Sequence, residues 1–120
     1  MEPNTNAKLM RIFISSTDQF RHEPLYEVIV YAAKRNGLAG TTVLKGVMGF
    51  GASSQMVSST RFWEITEKLP VVVEIIDEAN KIEKFYEVIR PYFEKIRYGC
   101  MVTVEDVQVL MHKTGTPEKN

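Results

Sequence analysis

Residues 45–54, with the sequence KGVMGFGASS, hold the side chains and backbone groups that could bind an anion. Glycines at 46, 49 and 51 offer flexible backbone N–H groups, two serine hydroxyls follow them, and a lysine stands in front. Successive N–H groups of this kind form concave anion-binding nests. We therefore predict a ligand site at Lys45, Gly49, Phe50, Gly51, Ala52, Ser53 and Ser54.

The same glycines also have a purely structural interpretation. They do not open a helix after a strand, so they match neither the dinucleotide-binding fingerprint nor the P-loop. Isolated glycines in a strand usually serve backbone geometry, as in a bulge or a close approach. Lys45 could likewise be an ordinary solvated charge at the end of a strand.

Three further residues could contribute to the ligand site. Arg61 could contact an anion beside Phe62 and Trp63, although such an aromatic pair more often packs than stacks on a base. His112 and Lys113, near the end of the chain, could reach an anion held by a neighbouring subunit. The alternative for His112 is a surface group, because so short a motif is weak evidence.

Composition limits the remaining classes of function. The 120 residues carry 15 Lys and Arg against 15 Asp and Glu, so no long-range positive field favours binding of nucleic acid. One cysteine and two distant histidines provide neither an intrachain disulfide nor zinc spacing. No pair of carboxylates has the spacing of a general acid and base. The sequence favours a cytoplasmic protein that is not an enzyme and needs no tightly bound cofactor.

The elements that would position these residues follow from periodicity and from helix and strand breakers. A helix is predicted from Leu25, after Pro24, to the stop at Asn36-Gly37, and a second from an N-cap at Asp77 that Pro91 should kink or divide. The predicted strands are 8–15, 41–50, 61–66, 70–76 and 101–111. A long loop is predicted at 51–60.

The order of the main elements predicts a ferredoxin-like βαββαβ sandwich, an α+β fold with a four-stranded antiparallel sheet and two helices on one face. The first and third strands would be central neighbours and are apolar on both sides, each with one charge on the uncovered side. Arg11 and Glu74 could therefore pair across the strands, or both could simply be exposed. An uncovered apolar face predicts a closed homo-oligomer.

Three motifs carry a resemblance to a known family. They are PLYE at 24–27, GTTVLKGVMGFGASS at 40–54 and LPVVVEII at 69–76. In this order, and over nearly the whole of residues 8–111, the chain resembles a family of small PII-like proteins known mainly as a domain of unknown function. The wider PII superfamily has a strand ending in Gly-Phe-Gly that leads into a regulatory loop.

The resemblance implies a ferredoxin-like homotrimer with inward-facing sheets and ligand sites in the clefts between subunits. It also implies an adenine nucleotide or similar small effector, and a transporter, channel or enzyme as the partner. The chain departs from PII proteins after Gly51, which no matching Gln and basic residues follow, and at Tyr98-Gly99-Cys100, which is shorter than their phosphate loop. Lys113-Thr114-Gly115 is similar to their Arg-Thr-Gly but falls about two residues late.

We therefore predict a flexible N-terminus at 1–7, a PII-like domain at 8–112 and a polar tail at 113–120. The predicted function is that of a trimeric regulatory protein whose loop after Gly51 responds to a small effector and then docks on a partner. A metal-binding trimer of the divalent-cation tolerance type and a small enzyme with its site between subunits remain the alternatives.

Overall fold

A computed structural model describes residues 1–3, 5–51, 54–59 and 68–118. The elements in chain order are β1 (Ala7–Ser15), β2 (Gln19–Phe20), β3 (Glu23–Pro24), α1 (Leu25–Arg35), β4 (Thr41–Lys45), β5 (Met48–Gly51), β6 (Ser54–Ser59), β7 (Pro70–Glu78), α2 (Ala79–Lys95) and β8 (Met101–Val107). Four strands form the main sheet in the order β4-β7-β1-β8, and all its neighbours are antiparallel. This order confirms the predicted α+β, ferredoxin-like arrangement.

Both helices cover the same face of the sheet. The alternate residues of β1 that point to the helices, Met10, Ile12 and Ile14, are at most 4% exposed. Val73 lies opposite Ile12 in the register, and Phe85 of α2 packs into the same cluster. One chain therefore completes a dry core on this covered face, and transfer of its side chains from water drives the helices onto the sheet.

Helix α1 begins and ends where the sequence predicts. Leu25 follows Pro24, and the backbone N–H of Asn36 donates to the carbonyl of Ala32 at 3.0 Å. Gly37 then takes a φ of 75°, a left-handed conformation that glycine adopts without a steric penalty and that commonly terminates helices. The basic residues in the last turn face the negative end of the helix dipole.

Helix α2 differs from the prediction at its start and at Pro91. Asp77 does not cap it, because β7 continues to Glu78 and the helix begins at Ala79. Asp77 is instead buried, and its carboxylate accepts hydrogen bonds from the N–H groups of Ala39 and Glu78. Pro91 does not divide the helix, which is continuous to Lys95. Its ring lies on the exposed side, while packing of the opposite side on the sheet outweighs the lost hydrogen bond.

The remaining differences lie at strand ends. The predicted strand 41–50 is two strands, β4 and β5, separated at Gly46 and Val47. The predicted loop 51–60 contains β6, which folds back on β5. The last strand ends at Val107 rather than at residue 111, and the predicted strand 61–66 lies outside the described residues.

Candidate functional site

A β-hairpin made of β5 and β6 carries the predicted glycine-rich site. The pairing is Met48 with Ser59, Gly49 with Ser58 and Gly51 with Ser54. The register shifts between Gly49 and Gly51, where one residue of β5 lies opposite three residues of β6, so the extra residues are in β6. The glycine spacing favoured a bulge in the glycine-rich strand, whereas the irregularity adds residues to its partner β6, at the point where the hairpin leaves the sheet.

A close approach to Pro70, the first residue of β7, requires glycine at 46 and makes a tight contact at Gly49. A Cβ atom on Gly46 would lie 2.7 Å from Cγ of Pro70, and one on Gly49 would lie 3.2 Å from the same atom. The N–H of Gly46 also donates to the carbonyl of Pro70 at 2.7 Å, so it has no capacity left for an anion. Gly51 has nothing within 4 Å of the position of its Cβ. The open part of the site therefore begins after Gly46.

Val47 and the first strand of the hairpin expose a row of apolar side chains. Val47 is 76% exposed and Phe50 is 74% exposed, and Met48 between them is also exposed. Lys45, the last residue of β4, is exposed at the base of the hairpin. It lies opposite Val71 in the register and so on the other side of the sheet from Leu44, as predicted.

The other predicted site residues fall in three places. Ser54 begins β6, while Ala52, Ser53 and Arg61 lie outside the described residues. His112 and Lys113 are exposed in the extended segment after β8. Nδ1 of His112 lies 3.0 Å from the amino nitrogen of Met1.

The segment containing His112 crosses the face of the sheet that the helices leave uncovered, which we call the open face. There it borders a cavity of about 310 Å³ near the beginning of β4, whose lining includes Thr42, Glu74, Ile76 and Met111. The hairpin lies beyond the opposite end of β4. Within one chain, His112 is thus not brought together with Gly49, Phe50 and Gly51.

Charges on the open face are paired across three strands. Nε of Arg11 lies 2.9 Å from a carboxylate oxygen of Glu74 on β7, and its guanidinium also bonds Glu105 on β8. The hydrogen bond to Glu74 is the main reason why the pKa of Arg11 is raised, with Glu105 contributing. The predicted pairing of Arg11 with Glu74 is present. Glu105 was missed, because it lies opposite Leu9 in the register and reaches Arg11 only diagonally.

The described residues form neither a metal site nor a reactive thiol. Within residues 1–3, 5–51 and 68–118, no group of three or more His, Cys, Asp and Glu side chains could hold a metal ion. Cys100 is half-buried against the core, and desolvation, followed by the charge of Asp18, raises the pKa of its thiol. A thiol with a raised pKa is a poor nucleophile at neutral pH. Neither α1 nor α2 combines the length and apolar character needed to cross a membrane.

Comparison with solved structures agrees with the fold described above. The chain superposes with a TM-score of 0.64 on a structure of CPII, a nitrogen regulatory PII-like protein from Thiomonas intermedia K12, bound to ADP, AMP and bicarbonate. The alignment covers 88% of this chain and 89% of CPII at 17% sequence identity. At that identity the likeness establishes a shared PII-like fold.

Sequence comparison establishes the family. A UPF0166 protein of Aquifex aeolicus is 38% identical over 103 residues, which is 86% of this chain and 92% of that protein. A UPF0166 protein of Methanocaldococcus jannaschii is 29% identical over 108 residues, or 90% and 95% of the two chains. Residues 7–109 match the family model DUF190, described as Uncharacterized ACR, COG1993. This chain belongs to the DUF190 family, a family of unknown function with a PII-like fold, as the sequence motifs predicted.

Proposed function

We propose that this protein is a cytoplasmic, non-enzymatic regulator of the PII type, a homotrimer that binds an adenine nucleotide between its subunits. The exposed hairpin β5–β6 then reports the bound state to a partner protein. The observation that carries the proposal is this hairpin, which leaves the end of β4 with Val47 and Phe50 in solvent. An ordered hairpin with exposed apolar side chains is suited to contact another molecule.

The open face supports the oligomeric part of the proposal. Leu44, Ile76 and Met101 are between 42% and 53% exposed there, in three different strands. Arg11 is ion-paired with both Glu74 and Glu105, so a second subunit that covers the face would not bury an unpaired arginine. This combination of apolar side chains and internally paired charges favours association with further copies of the chain.

The sheet topology supports a site between subunits. β4 and β8 are the two edge strands, and the register places the end of β4 and the beginning of β8 at the same end of the sheet. If subunits join edge to edge, Lys45 of one subunit lies near Met101 of the next. The complex of CPII with ADP and AMP makes adenine nucleotides the first ligands to test.

The ligand test is isothermal titration calorimetry of the full chain with ATP, ADP, AMP and cyclic AMP. We expect saturable heat with at least one of them, and about tenfold weaker binding for Lys45→Gln, because a lost charge-assisted hydrogen bond costs about 1.5–3 kcal/mol. Lys34→Gln, which removes an exposed lysine from the last turn of α1, is the matched control. Absence of heat with all four nucleotides would remove nucleotide binding from the proposal.

The assembly test is independent of the ligand. Light scattering of the full chain at micromolar concentration should give three times the chain mass of 13.7 kDa. A stable monomer would contradict a site shared between subunits.

A further inference from the structure

The hairpin β5–β6 meets the main sheet at Pro70 through two contacts of different strength. The N–H of Gly46 donates to the carbonyl of Pro70 at 2.7 Å, so this contact includes a hydrogen bond. At Gly49, an added Cβ would lie 3.2 Å from Cγ and 3.7 Å from Cβ of the Pro70 ring. Ring carbons are not hydrogen-bond acceptors, so the contact of Gly49 with the ring is one of van der Waals packing.

Pro70 is itself fixed to the centre of the sheet. It begins β7 and lies opposite Ser15 of β1 in the register. The carbonyl of Leu69, the preceding residue, accepts the N–H of Ser16 at 2.8 Å, and the N–H of Leu69 donates to Oγ of Ser16 at 3.0 Å. These bonds hold the chain just before the ring, and the ladder with β1 holds the chain after it. The Pro70 ring therefore keeps a fixed position relative to the sheet.

A proline ring forms a more rigid contact surface than other side chains of its size. Its Cδ is bonded to the backbone nitrogen, which fixes φ near −65° and prevents rotation about the Cα–Cβ bond. A valine or leucine at position 70 could change its rotamer when another segment presses on it. Cγ of Pro70 instead stays where the backbone places it. The closest approach of Gly49 to the sheet is thus set by an immobile surface.

Val47 separates the hydrogen-bonded contact from the packing contact. It belongs to neither β4 nor β5, and its side chain is 76% exposed. Beyond it, Met48 and Gly49 pair with Ser59 and Ser58 of β6. The hairpin can therefore change direction at Val47 and keep its own ladder, with loss of the packing between Gly49 and Pro70. A single packing contact of this kind is weak.

We infer that Pro70 is the positioning residue of the hairpin. Its ring determines the direction in which β5–β6 leaves the sheet, and so how the exposed side chains of Val47, Met48 and Phe50 are presented to another molecule. Gly46 forms the fixed base of the hairpin, and the contact of Gly49 with the ring selects one direction among those that rotation at Val47 allows.

The same contact connects the predicted ligand segment to the direction of the hairpin. Gly49 is four positions after Lys45 and begins the predicted ligand residues 49–54. A ligand that binds this segment more tightly when Gly49 is away from the ring shifts the hairpin toward a second direction, by as much as the two affinities differ. This coupling rests on the proposed function, whereas the role of Pro70 in the ligand-free chain does not.

The test measures the direction of the hairpin in the full chain by double electron–electron resonance. Spin labels are attached to Phe50→Cys on the hairpin and to Tyr31→Cys on α1, both at exposed positions, after Cys100→Ser has removed the one native thiol. Labelled chains are mixed with an excess of unlabelled chains, so that an oligomer carries one labelled pair. We expect one main distance between the labels when Pro70 is present.

Pro70→Ala should bring a second distance to about 10% or more of the population, which is the upper range for a minor conformation. Pro91→Ala, which removes an exposed proline from α2, is the matched control and should leave the distances unchanged. Urea denaturation identifies a merely structural role, which would lower stability without changing the distances. If Pro70→Ala does not fold, Gly49→Val displaces the hairpin from the ring, and Gly51→Val, with nothing within 4 Å of the Cβ position, is its control.

The inference is overturned if Pro70→Ala, or Gly49→Val in its place, keeps the distances of the parent chain. It is also overturned if the matched control changes them equally. Addition of a nucleotide that binds in calorimetry tests the coupling: a changed distance supports it, and binding without a change overturns it. If none of the nucleotides binds, nucleotide binding is lost from the proposed function, while the ligand-free comparison still decides the role of Pro70.

Discussion

The two faces of the main sheet use similar apolar side chains for different purposes. On the covered face, Met10, Ile12 and Val73 are 0% exposed, because α1 and α2 exclude water from them. On the open face, Leu44 of β4 is 50% exposed and Ile76 of β7 is 42% exposed. A single chain therefore completes one hydrophobic interior and leaves a second apolar surface uncovered.

The two faces also differ in how they treat charge. The covered face packs hydrophobic residues and buries Asp77 against backbone N–H groups, whereas the open face contains Arg11 between Glu74 and Glu105. Breaking a buried ion pair is far more costly than burying an intact one. A partner could therefore bury the open face without breaking the ion pairs of Arg11, although the single chain does not bury this face.

The largest effect is expected for Phe85→Ala in the covered core. Phe85 is 1% exposed, and removal of a buried aromatic ring should lower the free energy of unfolding by about 3–5 kcal/mol. Urea denaturation measures the change. Tyr86→Ala, at the neighbouring position with 37% exposure, should cost clearly less. Equal losses for the two variants would contradict the assignment of the covered face.

Gly46→Ala tests the border where the hairpin leaves the sheet. The added Cβ would lie 2.7 Å from Cγ of Pro70, and overpacking of this kind should lower the free energy of unfolding by about 1–3 kcal/mol. Gly40→Ala, with nothing within 4 Å, is the control for the loss of glycine itself. If both substitutions have the same effect in thermal denaturation, the close approach to Pro70 does not determine the residue at 46.

Leu44→Glu tests the open face. Its side chain is half exposed in one chain, so the stability of the isolated chain should change by no more than about 0.5 kcal/mol. Light scattering should nevertheless show loss of the oligomer, because a subunit covering this face would bury the new charge. Tyr31→Glu, on the exposed side of α1, should leave the assembly unchanged. Retention of the oligomer in Leu44→Glu would place the subunit contact elsewhere.

The smallest effect is expected for the rate at which Cys100 is alkylated. Cys100 packs against the covered core, and burial raises the pKa of its thiol above the ordinary 9.0. A smaller thiolate fraction at mildly alkaline pH should make iodoacetamide react more slowly with the folded chain than with the same chain in urea. The folded rate should still be rising with pH above 9.0. Equal rates in the two states would show that the thiol is not protected.

The parts of the fold that the sequence predicts well depend on local signals. Helix α1 has a proline before it and Asn36-Gly37 after it, and its ends agree with the prediction. The pairing of Arg11 with Glu74 follows from strand order once the βαββαβ topology is assumed. In both cases the information lies in adjacent residues or in the order of the elements.

The missed features depend on contacts between distant residues. Asp77 has the residue type of a helix cap, but its carboxylate binds the N–H of Ala39, 38 positions away. The split between β4 and β5 reflects contact of Gly46 with Pro70. The β2–β3 turn and the residues after α2 line one cavity, which brings Arg21 near Arg97, and nothing in the adjacent sequence of either residue indicates the other. Spacing along the chain contains no signal for such contacts.

The position of β1 at the centre of the sheet has a consequence for synthesis of the chain. β1 is made first, yet its two neighbours are β7 and β8, and Ala7 pairs with Glu78 and Val107. During synthesis, both faces and both hydrogen-bonding edges of β1 therefore remain exposed until β7 and β8 have been made. Sheets closed by such distant pairings fold slowly and expose aggregation-prone edges in the meantime. We expect this domain to fold only after β8 has been made, and not when the first half of the domain emerges from the ribosome.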